Sequence, residues 1–278
     1  MSTRPHQLEK AERFRALHQR DRAFVIPNPW DAGSARILEA LGFEALATTS
    51  SGFAHSLGRL DGQVTLEEKL EHCRALCAAS SLPVSADLEN GYGPAPEDAA
   101  AAIRAVAGTG VVGGSIEDYS RDPQKPIYEP SHATERIAAA AEAARSLDFP
   151  FTLTARAENL LHGRNDLDDT IRRLVAYEQA GADVLYAPGL ATLEQVREVT
   201  RAVSKPVNVL AVFVRGASVG DLEAAGAQRL SVGGALALAA IGGLLRAAEE
   251  LREGTFGWLA SLAPPAEVKR MLGSERAE

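Results

Sequence analysis

Short apolar runs alternate along the chain with longer segments rich in Ala, Leu, Glu and Arg, whose apolar positions recur at helical spacing. Runs of the first kind predict strands over 24–27, 44–48, 83–87, 111–117, 151–156, 183–186, 206–210 and 229–232. Segments of the second kind predict helices over 32–41, 66–79, 96–108, 132–146, 166–179, 192–203, 219–225 and 235–252, with an extra helix near 6–18. Punctuation agrees with this alternation. Gly42, Gly181 and Gly226 follow helical segments, where glycine takes the left-handed closing position, and Pro83, Pro150 and Pro206 stand at strand starts. Eight βα alternations without a break in composition predict a single α/β domain over 1–278, a closed (β/α)8 barrel. A doubly wound open sheet is the alternative. The stretch 253–278, with Phe256 and Trp258, reads as a C-terminal arm. The apolar helix before it either closes its own barrel or packs on a neighbouring subunit.

Composition narrows the classes of function. The 278 residues suit a barrel of the usual size, about 250 residues. A net charge of −8, from 29 basic and 37 acidic residues, argues against nucleic acid or anionic membrane as a partner. Residues 1–17 lack the apolar centre of a secretion signal, and the near-apolar stretch 232–245 is shorter than the roughly 20 residues of a membrane span. A soluble, cytoplasmic protein is expected. Cys73 and Cys77 lie four apart on one helical segment without a second ligand pair at zinc spacing, so two reduced cysteines are expected there.

The candidate chemistry lies at strand ends. The third strand runs into Asp87 and Glu89, the fourth into Glu117 and Asp118. Crowded carboxylates repel unless a cation stands among them, and an all-oxygen set suits Mg²⁺ or Mn²⁺ rather than Zn²⁺. In a barrel these ends form the active-site face. That face also receives Thr49-Ser50-Ser51, a hydroxyl-rich turn suited to offering N–H groups to a carboxylate, together with Asp61, Arg156, Tyr186, Asn208 and Ser231-Val232-Gly233-Gly234. Arg156 either neutralises the acids or grips a substrate carboxylate with its planar fork. The Ser231–Gly234 turn reads either as a phosphate-gripping turn, which alone would suggest a sugar-phosphate enzyme, or as a tight turn without a ligand. His55, His132 and His162 show no matched ligand spacing and read as surface or loop residues.

Taken together, Asp87-x-Glu-x-Gly91-Tyr92-Gly93, Ile116-Glu117-Asp118, Thr49-Ser50-Ser51 with Leu57-Gly58-x-x-Asp61, and Ala155-Arg156-x-Glu158 resemble the isocitrate lyase/phosphoenolpyruvate mutase superfamily. The resemblance runs in order from about Asn28 to Gly234. It implies a (β/α)8 barrel in a homodimer or homotetramer, often with the last helix exchanged between subunits. It also implies Mg²⁺-dependent cleavage or rearrangement of C–C or P–C bonds in small 2-oxo and 2-hydroxy acids. By position, Asp87 would ligate the metal directly, with Asp61, Glu89 and Glu117 holding metal-bound water. Thr49, Ser50 and Ser51 would grip substrate oxygens, Arg156 a further anionic group, and Tyr186, Asn208 and Phe53 would shape the pocket.

One departure matters. C–C lyases of this superfamily carry Lys-(Lys/Arg)-Cys-Gly-His after the fourth strand, with cysteine as general acid. Here the loop 119–128 contains neither Cys nor His. A retro-Claisen or retro-aldol lyase, or a hydrolase or decarboxylase of an oxaloacetate-like diacid working through a metal-stabilised enolate, fits without cysteine. Tyr119, Lys125 and Tyr128 are then the candidates for proton delivery. The alternatives are a P–C enzyme acting on phosphonopyruvate and a catalytically silent barrel that binds 2-oxo acids.

Overall fold

The computed structural model describes residues 4–273. Its eight strands are β1 (Phe24–Val25), β2 (Leu46–Ala47), β3 (Val84–Asp87), β4 (Gly113–Glu117), β5 (Thr152–Arg156), β6 (Val184–Tyr186), β7 (Val207–Leu210) and β8 (Arg229–Ser231). All pair in parallel in the order β1-β8-β7-β6-β5-β4-β3-β2. The remaining seam, between β1 and β2, is closed by the Ala47 N–H donating to the Pro27 carbonyl at 3.1 Å. The Asn28 side-chain amide supports it, donating to the Thr48 carbonyl at 3.2 Å. Strands in unbroken sequential order, with β8 beside β1, make a barrel; the doubly wound alternative needs a reversal of order and is excluded.

Eleven helices surround the strands among the described residues: α1 (Arg4–Leu17), α2 (Ala32–Ala40), α3 (Ser50–Ser56), α4 (Leu66–Ala79), α5 (Pro96–Ala107), α6 (Pro130–Arg145), α7 (Leu167–Gln179), α8 (Leu193–Ala202), α9 (Val219–Ala224), α10 (Ala235–Arg252) and α11 (Pro265–Leu272). Local chemistry fixes their starts. Thr65 Oγ1 accepts from the Glu68 N–H at 3.3 Å while the Glu68 carboxylate accepts from the Thr65 N–H at 2.9 Å, a reciprocal box that begins α4. Asp31 and Ser34 do the same for α2, and Asp166 caps α7. Helix α3 was not expected. Its Ser, Gly and His residues carry no apolar period, yet Thr49 caps it by accepting from the Gly52 N–H at 3.2 Å. The tail beyond α10 forms a short 3-10 turn and then α11, which lies against α2 with Met271 buried and the Leu272 carbonyl accepting from Arg36 at 3.0 Å. Residues 274–278 of the expected arm lie outside the described residues.

The period of two along the strands sorts the molecule into layers. Outward positions, among them Val84, Ala86, Ile116, Leu153, Leu185, Val209 and Leu230, join the helices in one large apolar core. Inward positions are small or polar. A second, smaller cluster closes the N-terminal mouth, where Phe14 and Leu17 of α1 pack with Phe24, Ile26 and Val112. Gly113 is required there, because a Cβ would lie 2.9 Å from the Phe14 ring and 2.9 Å from the Thr152 carbonyl.

Two buried histidines are held neutral. The His18 ring nitrogen Nδ1 pairs with the Phe14 carbonyl at 2.8 Å, and Nε2 faces the Arg229 guanidinium at 3.4 Å. Burial, helped by Arg229, takes its pKa from 6.5 to about 3. Burial and Lys69 do the same to His72, whose ring stacks on Phe53. Below pH 6.5 the unfolded chain binds protons that the folded chain refuses, so stability falls as the pH drops toward 3. Thermal or urea unfolding between pH 7.5 and 4.5 should show a loss of about 1 kcal/mol per pH unit for each histidine. The fall should be visibly shallower in His18→Gln, which keeps one donor and one acceptor.

Candidate active site

Strand register builds the site. Paired residues place Glu117 (β4), Arg156 (β5), Tyr186 (β6) and Asn208 (β7) side by side across four strands. Asp87 ends β3 next to this row. The Arg156 guanidinium lies 2.9 Å from Asp87 Oδ1, 3.2 Å from Glu117 Oε2 and 2.8 Å from Glu158 Oε1, with its carbon 5.0 Å from the centre of the Tyr186 ring. A guanidinium thus stands among the acids.

Two chambers meet at Arg156. The inner one, about 250 Å³, reaches down the barrel axis and is walled by Thr49, Ser50, Ser51, Asp87, Tyr186 and Asn208. The outer one, about 480 Å³, is walled by Glu89, Glu117, Tyr119, Arg121, Glu158 and His162. Ser50, Asp61 and Arg156 border both. Asp87 is fixed from above and below, accepting from the N–H groups of Ser50 (3.2 Å) and Glu89 (3.3 Å), while its own N–H donates to Thr48 Oγ1 at 2.8 Å. Burial pushes its carboxyl up, but Arg156, Lys69 and the two N–H donors outweigh this and hold it below the ordinary value. Glu89 goes the other way: burial and the Asp87 charge raise it to about 7, against the pull of Arg121, with which it forms an ion pair. Glu117 is raised by burial and by Glu158 and Asp87, although Arg156 opposes them. Burial lowers the Arg156 pKa, but the three carboxylates override it and keep the guanidinium charged.

The buried arginines of α6 and α7 hold the loops that carry these groups. Arg136 donates to the carbonyls of Gly93 (2.8 Å) and Ala95 (3.0 Å) and to that of Asn90, pinning the loop after Glu89. Arg173 donates to Asp118 Oδ2 at 3.0 Å and to the Tyr128 carbonyl at 2.8 Å. Asp118 also accepts from the Tyr177 hydroxyl (2.6 Å) and the Glu158 N–H (2.7 Å). It follows Glu117 on the strand, so it points to the opposite side and ties the sheet to α7.

The other expected residues separate. Asp61 is exposed at the rim and accepts from the Gly62 N–H. Thr49 and Ser51 hydroxyls pair at 3.2 Å beside the inner chamber, and Asn208 donates to Ser231 Oγ at 2.9 Å. Tyr119 lines the outer chamber, whereas Lys125 is exposed at the loop tip and Tyr128 packs against Arg136 and His132. Phe53 faces His72 rather than either chamber. The Val232 and Gly233 N–H groups both donate to Asn28 Oδ1, at 3.0 and 2.9 Å, so the turn read as phosphate-gripping spends these donors inside the protein. Cys73 and Cys77 are free, and burial raises their thiols to about 11 and 12. Sequence reasoning gave no role to Arg121 or Glu158 and placed His162 on a surface loop; only the loop packing brings them to the chamber.

Among the described residues no three His, Cys, Asp or Glu side chains converge as a metal-binding group. The donor set still suits a hard cation, for it is all oxygen, and Glu89 Oε1 is buried with no hydrogen-bond partner.

Residues 14–252 match the family model described as phosphoenolpyruvate phosphomutase. The chain belongs to this family, within the isocitrate lyase/phosphoenolpyruvate mutase superfamily of lyase-type enzymes. An uncharacterized protein of Mycobacterium tuberculosis is 30% identical to it over 260 residues, covering 93% of this chain and 95% of its own. The oxaloacetate decarboxylase of Rhodopseudomonas palustris is 29% identical over 274 residues, 96% of this chain and 90% of its own. Among solved structures, a Burkholderia cenocepacia protein described only as a lyase/mutase superposes with a TM-score of 0.94 at 55% identity, covering 97% of this chain and 98% of its own.

Asp118 and Asp87 should fail differently. Asp118→Ala leaves buried Arg173 with Asp169 as its one carboxylate among the described residues, beside the Tyr128 carbonyl, and should cost about 3 kcal/mol of stability in chemical unfolding. Asp87→Ala should cost far less stability and abolish any stabilisation by Mg²⁺ with oxalate in thermal melts.

Proposed function

We propose that the chain cleaves a carbon–carbon bond of a 2-oxo or 2-hydroxy di- or tricarboxylic acid, with decarboxylation of an oxaloacetate-like 2-oxo diacid as the favoured form. The observation that carries this is the placement of Arg156 between an inner chamber of hydroxyl and amide groups and an outer chamber of carboxylates. Similarity to an oxaloacetate decarboxylase along 96% of the chain supports the decarboxylating form, as does a 119–128 loop without Cys or His. In this reading Asp87 would hold Mg²⁺ or Mn²⁺, with Asp61, Glu89 and Glu117 supporting the ion through water. A bound divalent ion would supply charge to offset the oxyanion that develops as the bond breaks. The chain's own groups do the rest. Thr49, Ser50 and Ser51 orient one substrate carboxylate, and Arg156, still anchored on Glu158, meets the second anionic group. Tyr186 and Asn208 bound the space left for the remainder of the molecule.

The test is turnover of oxaloacetate, 2-methylisocitrate, isocitrate, dimethylmalate and phosphonopyruvate with Mg²⁺, products being followed by mass spectrometry. Cleavage of a carbon diacid that vanishes in Asp87→Ala is the expected result. Phosphate release from phosphonopyruvate would assign P–C chemistry instead. Ligand-induced stabilisation without any product would leave a binding protein.

We further infer that the working form is a homodimer or homotetramer joined through α10. This 18-residue helix buries only Ala237 within its own chain, leaving Leu238, Leu244, Leu245 and Leu251 exposed, followed by exposed Phe256. So large an apolar face marks an interaction surface. Light scattering should give a mass of two or four chains, and Leu244→Glu with Leu245→Glu should shift it toward one.

A further inference from the structure

We propose that His162 is the proton donor of this active site, a catalytic residue on the loop after β5 that serves where the loop after β4 offers neither Cys nor His. The proposal rests on the carbon–carbon cleaving function argued above. Among the described residues, His162 is the histidine that lines the outer chamber, alongside Glu117, Arg156 and Glu158. His18 and His72 are buried elsewhere, and His132 pairs with the Pro94 carbonyl outside both chambers.

Its surroundings hold the ring as a positioned acid is held. The imidazole lies flat on Tyr119, with centroids 3.9 Å apart and planes within 6°. Its Nε2 is 3.7 Å from Glu158 Oε2, and the other oxygen of that carboxylate is clamped by Arg156 at 2.8 and 2.9 Å. The carboxylate thus faces one ring nitrogen at ion-pair distance, so that a third group stands behind the ring that lines the chamber. The backbone beneath is rigid. Asn159 is fully buried and donates to the carbonyls of Arg164 (3.2 Å) and Asp166 (3.1 Å) and to Thr170 Oγ1 (2.7 Å), while its own carbonyl accepts from the His162 N–H. A ring that merely packed the loop would need neither a buried carboxylate at its edge nor a face on the chamber.

The C3–C4 bond of a 2-oxo diacid breaks, C4 leaves as CO₂, and the bonding pair remains on the pyruvate-like fragment as an enolate. The His162 imidazolium gives its proton to C3, and the neutral ring takes one back from water. One proton from water is consumed per turnover.

The experiment compares wild type with His162→Gln and His162→Asn in Mg²⁺ buffer, after melts with oxalate verify that each variant folds and binds. With oxaloacetate, kcat should fall on the order of 10²–10⁴-fold at nearly constant KM. With 3-methyloxaloacetate in D₂O, wild type should give one enantiomer of deuterated 2-oxobutanoate, and the variants a racemate from protonation by water. A variant with wild-type kcat and stereospecific labelling overturns the role of His162 while leaving the proposed function standing. If wild type cleaves no diacid, that function fails. The role of His162 is then judged on exchange of pyruvate methyl protons with D₂O: exchange by wild type that is lost in His162→Gln supports it, and no exchange by wild type overturns it.

Discussion

One guanidinium holds the open end of the barrel together. Asp87, Glu117 and Glu158 come from the ends of three successive strands, and all three reach Arg156 within 3.2 Å. Without a cation at their centre these carboxylates would either separate or take up protons, since burial already pushes Glu117 upward. The register that sets Arg156 against Glu117 on one side and Tyr186 on the other is therefore a constraint on charge as much as on geometry. The buried arginines of α6 and α7 extend the same logic outward, binding carbonyls and a carboxylate of the loops that present the acids.

This arrangement separates two jobs that a single acidic cluster would confuse. Glu117 and Asp118 are neighbours in sequence, yet one faces the chamber and the other is spent on Arg173, Tyr177 and the Glu158 backbone. Glu158 joins the two, because its N–H is fixed by Asp118 while its carboxylate spans Arg156 and His162. The tie to α7 and the chamber wall share a backbone segment but not the same side chains.

Most of the architecture was legible in the sequence because periodicity carries it: the order and number of strands follow from apolar runs at strand length between helical segments. The shorter elements were not. Helix α3 is made by a Thr49 cap and not by an apolar face, and α11 follows a stretch without a clear period. Within the site, Asp87, Glu117 and Arg156 were readable as strand-end charges. Asp118 was read as part of the acidic focus, although strand alternation alone turns it away. Arg121 and His162 were beyond reach, since their positions depend on how loops separated by tens of residues stack on one another.

The barrel axis has a further consequence. Above the apolar cluster at the N-terminal mouth, its lining is mostly polar, with Ser85, Ser115, Thr154, Asn208, Arg229 and Ser231 outnumbering aliphatic neighbours such as Ile26 and Leu210, unlike the branched aliphatic layers common in such barrels. Among the described residues Arg229 donates to neutral partners there, including Asn208 and Thr154, and burial lowers its pKa to about 10. The apolar core that keeps the chain folded is the ring between strands and helices, on the other side of each strand. Recognition and folding thus draw on alternate residues of the same short segments. An inward serine or threonine can change size or charge during evolution without emptying the core. The chamber can accordingly change shape and charge while the chain stays folded throughout, a freedom unavailable to a barrel whose interior is also its keel.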